Sequence, residues 1–231
     1  LDDEYWAPVH FTDDELADLD IPVFITDGWY DMTFGPIDYF ARLEKKRPDR
    51  GDRYLLVGPW NHYQTFTTSQ PGDCDGDRTL PDNGSLDLLG LRLAFFDRYL
   101  KADKTVSVQE DRVRVYISGA AGSNANRWFN FPTFPAPNTA LKKLYLHSAG
   151  KAQCIPGDGE LNWQIANDEP TDRYTYNPDV PTSFITCTYQ DRRDHEIRSD
   201  VLTYTSAPLT DPLTILGDIT LTLHAASDAA D

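Results

Sequence analysis

Ile21-Pro-Val-Phe-Ile-Thr-Asp-Gly-Trp-Tyr-Asp31 and Arg53-Tyr-Leu-Leu-Val-Gly-Pro-Trp-Asn-His62 are two short apolar runs, each leading through a glycine to residues that carry chemistry. The first, Ile21 to Thr26, is rich in β-branched residues and predicts a buried strand ending at Gly28. The second, Arg53 to Val57, predicts another, stopped by Gly58-Pro59. Between them, Phe34 to Lys46 places Ile37, Phe40, Ala41 and Leu43 at helical spacing, with basic residues at the end where the helix dipole favours them. A polar stretch, 67–84, reads as loop. Leu86 to Leu100 then sets Leu88, Leu89, Leu91, Leu93, Phe95, Phe96 and Leu100 in an amphipathic helix. Strand, helix, strand, helix with short joins predicts a parallel sheet whose strands are buried on both faces.

Beyond residue 110 the period changes. Val113–Ile117, Leu141–Leu146, Ser183–Thr188, Val201–Thr205 and Ile219–Leu223 are short and rich in β-branched and aromatic residues, and several alternate with period two. Pro and Gly punctuate the gaps and no long helical pattern intervenes, which predicts a β-sandwich. The sequence therefore divides into 1–110 and 111–231, with a hinge at Ala102 to Asp111.

Size and charge set outer bounds. At 231 residues and 40% hydrophobic composition the chain has room for one large domain or two smaller ones. No run approaches the ~18 apolar residues of a membrane span. A net charge of −16 repels phosphate backbones and anionic lipid, so neither nucleic acid nor a membrane surface is an expected partner. The same charge names no substrate; a solvated acidic surface accounts for it. Cys74, Cys154 and Cys187 are odd in number and far apart, which indicates neither a disulfide framework nor a thiolate zinc site. Position 1 is Leu and no signal segment opens the chain, so the sequence reads as a piece of something longer, with its compartment unreadable.

Two strand ends matter most for chemistry. In open α/β sheets, reacting groups sit just beyond the carboxyl ends of the strands, where loops converge on a crevice. Asp31 follows the first run and His62 the second. Side by side, the carboxylate would accept from Nδ1–H, fix the tautomer and stabilise the imidazolium, while Nε2 took a proton from a hydroxyl. Acid before histidine is also the chain order of α/β-hydrolases. On spacing alone, a lone histidine after a strand is more often a solvated or hydrogen-bonded loop residue.

The flanking residues sharpen this. Gly28-Trp-Tyr-Asp31 followed by Leu55-Leu-Val-Gly-Pro-Trp-Asn-His62 resembles the last two strands of the catalytic domain in the X-Pro dipeptidyl-peptidase and cocaine-esterase family of α/β-hydrolases. That family includes α-amino-acid ester hydrolases and cephalosporin acylases. Asp3-Glu-Tyr-Trp6 resembles its lead into the acid strand, and Phe95-Phe-Asp-Arg-Tyr-Leu-Lys101 the helix that closes its catalytic domain. Val113–Gly119, Arg127-Trp128 and Leu144–Ser148 resemble the opening of its C-terminal jelly roll. Gln190-Asp-Arg192 and Arg198–Leu209 are similar to that domain's most recognisable stretch.

The resemblance implies a fold and a chemistry. Residues 1–110 would be the C-terminal portion of an α/β-hydrolase catalytic domain and 111–231 an all-β jelly-roll sandwich, incomplete at both ends. Asp31 would be the triad acid and His62 the base of a serine hydrolase acting on ester or amide bonds, X-Pro dipeptides among them. Trp29, Tyr30 and Trp60 are candidates either for the substrate pocket or for packing beneath it. Asp27 stands where the family usually has a small residue, and reads as a helper of Asp31 or as a polar group at the strand end. No cofactor or metal is implied. The expected partners are a small ester, amide or peptide substrate and the upstream part of the catalytic domain; oligomeric state is unknown.

The nucleophile is missing. None of the ten serines lies in a G-x-S-x-G elbow. Ser148 comes nearest, in Leu146-His-Ser-Ala-Gly150, but Leu replaces the first Gly, so it reads as structural. The chain alone is expected to be inactive, its serine lying upstream. Asp73-Cys-Asp-Gly-Asp77 evokes a calcium loop, yet Arg78 and Gly84 stand where Gly and Glu are needed. His195, among Asp191, Arg192, Arg193, Asp194 and Glu196, reads as a solvated connection. The rival reading is a non-catalytic β-sandwich binding module or a degenerate hydrolase relic.

Overall fold

The computed structural model describes residues 7–31, 35–65, 84–119, 124–153, 156–182 and 193–229. The expected strand at Ser183–Thr188, the motifs at 3–6 and 190–192, all but the last residue of the loop 67–84 with its Asp73–Asp77 stretch, and the three cysteines lie outside these residues. The helices are α1 (Asp13–Asp18), α2 (Gly35–Lys46), α3 (Leu88–Leu100) and the single turn α4 (Arg193–Glu196). The strands are β1 (Val23–Tyr30), β2 (Arg53–Asn61), β3 (Val113–Ile117), β4 (Arg127–Phe131), β5 (Tyr145–His147) and β6 (Glu160–Asn162).

Strand β2 shows why the second run reads as almost wholly apolar. It is buried along its whole length, and its alternate side chains serve two cores. Leu55 and Val57 pack with Ile37 and Phe40 of α2 on one face. Leu56 and Trp60 pack with Leu88 of α3 on the other. Burial on both faces removes the polar alternation that a one-sided strand would keep. Both helices form where the spacing predicts, α2 burying Ile37, Phe40 and Leu43. α3 begins at Leu88, with Asp87 as its N-cap accepting from the Gly90 amide. Leu89, Leu93, Phe96 and Leu100 stand exposed on α3's other side.

β1 and β2 pair in parallel and both run further than the sequence suggests: β1 passes through Asp27 and Gly28 to Tyr30, and β2 passes through Gly58-Pro59 to Asn61. Gly28 faces Gly58 but Tyr30 faces Asn61, so β2 carries one extra residue there. This bulge accommodates Pro59, which has no amide hydrogen to give a regular ladder. Arg53 opens β2 fully buried, its guanidinium donating to the carbonyls of Leu43 (2.5 Å) and Leu19 (3.2 Å).

β3, expected to open the second domain, pairs in parallel with β2, and β4 adds antiparallel to β3. The four-stranded sheet, in order β1-β2-β3-β4, thus crosses Asp111. Val113, Val115 and Phe134 belong to the same core as Ile37 and Phe40, with Leu216 packed against it. Further along, β5 and β6 form a two-stranded antiparallel sheet. The expected strand Leu141–Leu146 is realised as Tyr145–His147. Val201–Thr205 contributes isolated bridges, Leu202 to Gln153 and Thr205 to Glu160. Ile219–Leu223 has no regular structure, and Ile219, Leu221 and Leu223 are exposed. Strand propensity is realised through cross-strand partners: Val201–Thr205 finds them only in these single bridges beside Gln153 and β6.

Candidate active site

The two strand ends meet. A Cβ at Gly28 would lie 2.2 Å from the Trp60 carbonyl oxygen, so the close approach of β1 to β2 at this level requires glycine. Just beyond, the Asp31 amide donates to the Gly28 carbonyl at 2.9 Å and curls Asp31 back over the strand end. There His62 Nδ1 stands 3.1 Å from each carboxylate oxygen of Asp31. An ionised carboxylate only accepts, so Nδ1 carries the hydrogen and Nε2 of the neutral ring keeps the basic lone pair. The Asp31 side chain is 4% exposed and the His62 side chain 39%. The carboxylate is sheltered from water, and the imidazole reaches the surface where a reactant can meet it.

The turn that carries His62 is fixed by residues that the sequence reading passed over. The Asn61 amide donates to Gln64 Oε1 at 3.0 Å, and the Gln64 amide donates to Asn61 Oδ1 at 3.1 Å. Thr65 Oγ1 donates to the His62 carbonyl at 2.7 Å. Arg92, from α3, donates to the Thr65 carbonyl and holds the turn against the helix. The signal was present in Asn61-His-Tyr-Gln64, since Asn side chains favour such local turns. Nothing in the sequence pointed to Arg92.

Two of the aromatic residues at the strand ends, Trp29 and Trp60, pack into the cores on either side of the sheet. Trp60 is 1% exposed, its indole N–H donating to the Gly84 carbonyl at 3.2 Å. Trp29 donates to the Tyr116 carbonyl at 2.5 Å and joins the α2-side core. Tyr30 is half-buried at the end of β1.

Asp27 lies inside β1, opposite Val57, and is 2% exposed. Its Oδ1 accepts from the Gly28 amide at 2.7 Å, while Oδ2 has no hydrogen-bond partner among the described residues. Burial pushes its pKa up to about 6; the Gly28 amide opposes the rise, the Asp31 charge adds to it and the His62 charge opposes it.

Ser148 is placed far from nucleophilic use. Its hydroxyl donates to Asp172 at 2.7 Å, the same carboxylate oxygen that takes the Tyr204 hydroxyl at 2.6 Å, and it accepts from the Gly150 amide. Neighbouring His147 turns Nδ1 to Glu169 at 2.6 Å and Nε2 to the Gln164 carbonyl at 2.9 Å, so neither ring nitrogen serves the serine. His195 sits in α4, a single turn with no buried residue.

Two family profiles match the chain. That of the X-Pro dipeptidyl-peptidase (S15 family) covers residues 2–64, the segment holding Asp31 and His62. That of the X-Pro dipeptidyl-peptidase C-terminal non-catalytic domain covers residues 106–231. The chain belongs to the X-Pro dipeptidyl-peptidase family. A relative in that group is the cocaine esterase of Rhodococcus sp. (strain MB1 Bresler), 29% identical over 238 residues that take in 99% of this chain and 39% of the esterase. Among solved structures, an α-amino acid ester hydrolase superposes with a TM-score of 0.68 at 25% identity, over 93% of this chain and 36% of that one. An aminopeptidase from a marine sediment Thaumarchaeota archaeon shares the fold, with a TM-score of 0.67 at 23% identity, over 90% of this chain and 34% of that one. This X-Pro dipeptidyl-peptidase family chain therefore spans 39% of the length of the curated esterase it matches.

Proposed function

We propose that this chain supplies the acid, Asp31, and the base, His62, of a serine-type acyl hydrolase cleaving ester or amide bonds. The observation that carries the reading is the contact of His62 Nδ1 with both Asp31 oxygens at 3.1 Å, in the segment matched by the peptidase profile. In the reaction, His62 Nε2 removes the proton of a serine hydroxyl as that oxygen attacks the substrate carbonyl. It then returns the proton to the departing alcohol or amine, and an acyl-enzyme is left for water to hydrolyse. Asp31 holds the ring in its productive tautomer and stabilises the imidazolium formed in between. The serine and the donors that stabilise the oxyanion come from the rest of a longer protein, because no serine here has the elbow frame.

On this reading residues 1–110 are the end of the catalytic domain, and 111–231 a jelly-roll domain without reacting groups that lends β3 and β4 to the sheet of the first. The activities named for cocaine esterase and α-amino acid ester hydrolase favour small esters as substrates, and membership of the X-Pro dipeptidyl-peptidase family adds amides, X-Pro peptides included. The test is hydrolysis of a chromogenic ester and of an X-Pro dipeptide anilide by the intact protein, with and without His62→Ala. Loss of both activities to near background in the variant supports the reading. Unchanged turnover would make this a non-catalytic module.

A further inference from the structure

We propose that Asn61 and Gln64 are positioning residues of the base: a closed pair of side-chain-to-backbone hydrogen bonds, with His62 inside it, that fixes the imidazole against Asp31. The inference rests on the acid–base reading of Asp31 and His62 and goes beyond it.

The chain leaves β2 at Asn61 and enters a single 3₁₀ turn, Tyr63–Thr65. The first amides of any helical turn find no carbonyl partner within it. Here the Gln64 amide donates to Asn61 Oδ1 at 3.1 Å, and the Asn61 amide donates to Gln64 Oε1 at 3.0 Å. This is the reciprocal pattern of a capping box, with Asn at the cap and Gln three residues on. His62 is the first residue inside the ring so closed. Its carbonyl is held as well, by the Thr65 hydroxyl at 2.7 Å. The backbone is thus tied before, at and after the base.

Burial indicates what these side chains are for. Asn61 is 7% exposed, Gln64 8% and Thr65 5%, whereas the His62 side chain is 39% exposed. A buried amide side chain adds little net stability, because its hydrogen bonds replace bonds to water and its desolvation is costly. An apolar side chain of the same size would pack as well without that cost. Polar side chains at three buried positions around one exposed imidazole therefore serve geometry, since satisfied buried networks make a backbone rigid.

The Asp31–His62 contact is sensitive to that geometry. Nδ1 lies 3.1 Å from each Asp31 oxygen, so the ring is centred on the carboxylate. Two side-chain torsions join the ring to the turn, and any shift of the turn carries Nδ1 away from one oxygen and re-aims Nε2. A misplacement of about 1 Å at a reacting group costs about 100-fold in rate. Asn61 and Gln64 exchange no proton with the ring; both act through the backbone of His62.

The experiment measures kcat, KM and the pH profile of ester hydrolysis by the intact protein. Wild type is compared with Gln64→Met, Asn61→Ala, the double variant, Asn61→Ser and His62→Ala. Met fills the space of Gln without its acceptor, so Gln64→Met should lower kcat by about 30-fold and leave KM and the acid limb of the pH profile in place. Asn61→Ala should do the same. The two bonds close one ring, so the double variant should lose about 30-fold again rather than the square of that factor. Ser caps a turn as Asn does, so Asn61→Ser should recover most of kcat. Wild-type kcat in Gln64→Met and Asn61→Ala, or losses that multiply in the double variant, would overturn the proposal. An Asn61→Ser as slow as Asn61→Ala would overturn it too. So would a raised KM at constant kcat, which would assign the two side chains to substrate binding. An active His62→Ala would instead remove the reading on which the proposal rests. Should Gln64→Met fail to fold, the contrast of Asn61→Ala with Asn61→Ser carries the same test.

Discussion

Gly28 of β1 lies directly across from Gly58 of β2, and the strands close so tightly beyond them that a Cβ on Gly28 would sit 2.2 Å from the carbonyl oxygen of Trp60. The obstruction is backbone, so no rotamer change relieves it. Gly28→Ala should force the strand ends apart, destabilising the intact protein by about 3 kcal/mol. It should also lengthen the Asp31–His62 contact. A chemical denaturation midpoint equal to that of wild type would contradict this.

Asp31→Asn should lower kcat for ester hydrolysis by about 10⁴-fold in the intact protein, because the amide can hold the ring in the wrong tautomer. Folding should survive, since Asn fills the same volume. Comparing kcat with the unfolding midpoint separates the two effects.

Arg92 clamps the turn that carries His62 from α3, yet has no place in the proton transfers. Arg92→Ala should reduce kcat by up to about 100-fold through misplacement of the imidazole. The acid limb of the pH profile should stay where it is. A shift of that limb would mean that Arg92 acts on the charge of the pair.

His147 ties β5 to the chain that follows it. Both ring nitrogens face acceptors, Glu169 and the Gln164 carbonyl, so the full pair of hydrogen bonds exists only in the imidazolium. The Glu169 bond raises the His147 pKa, desolvation lowers it, and the Gln164 carbonyl and the charges of Glu169 and Glu160 add to the rise. A folded pKa above the ordinary 6.5 means that the stabilisation is fully present below pH 6.5 and is lost as pH climbs through the raised value. Hydrogen exchange in residues 163–172 should therefore quicken over that upper window beyond its intrinsic pH dependence, and His147→Gln should flatten the response. Equal protection on both sides of the window would count against the clamp.

The sequence made the first sheet legible because its signals are local. Apolar runs at Ile21 and Arg53 and helical spacing at Ile37, Phe40 and Leu43 each name an element without reference to anything distant. The contact of the candidate pair was legible for the same reason: Asp31 and His62 sit just past adjacent strand ends, the place where α/β sheets collect reacting groups. What escaped was long-range. That β3 pairs with β2 and carries the sheet across Asp111 depends on partners far apart in sequence. The extension of β2 through Pro59 depends on a bulge opposite Gly28 and Tyr30. The Arg92 clamp joins positions 27 residues apart, beyond any local pattern. Val201–Thr205 has strand composition yet makes only isolated bridges, one of them to Glu160 of β6, because composition does not set the register with a partner.

The central claim, that Asp31 and His62 activate a serine held elsewhere in the protein, is tested most directly with a fluorophosphonate that labels activated serines. The intact protein should take up one label on a serine outside residues 1–231, and His62→Ala should abolish the uptake. Stoichiometric labelling of any serine within this chain, Ser148 included, or labelling at the wild-type rate in His62→Ala, would contradict the account.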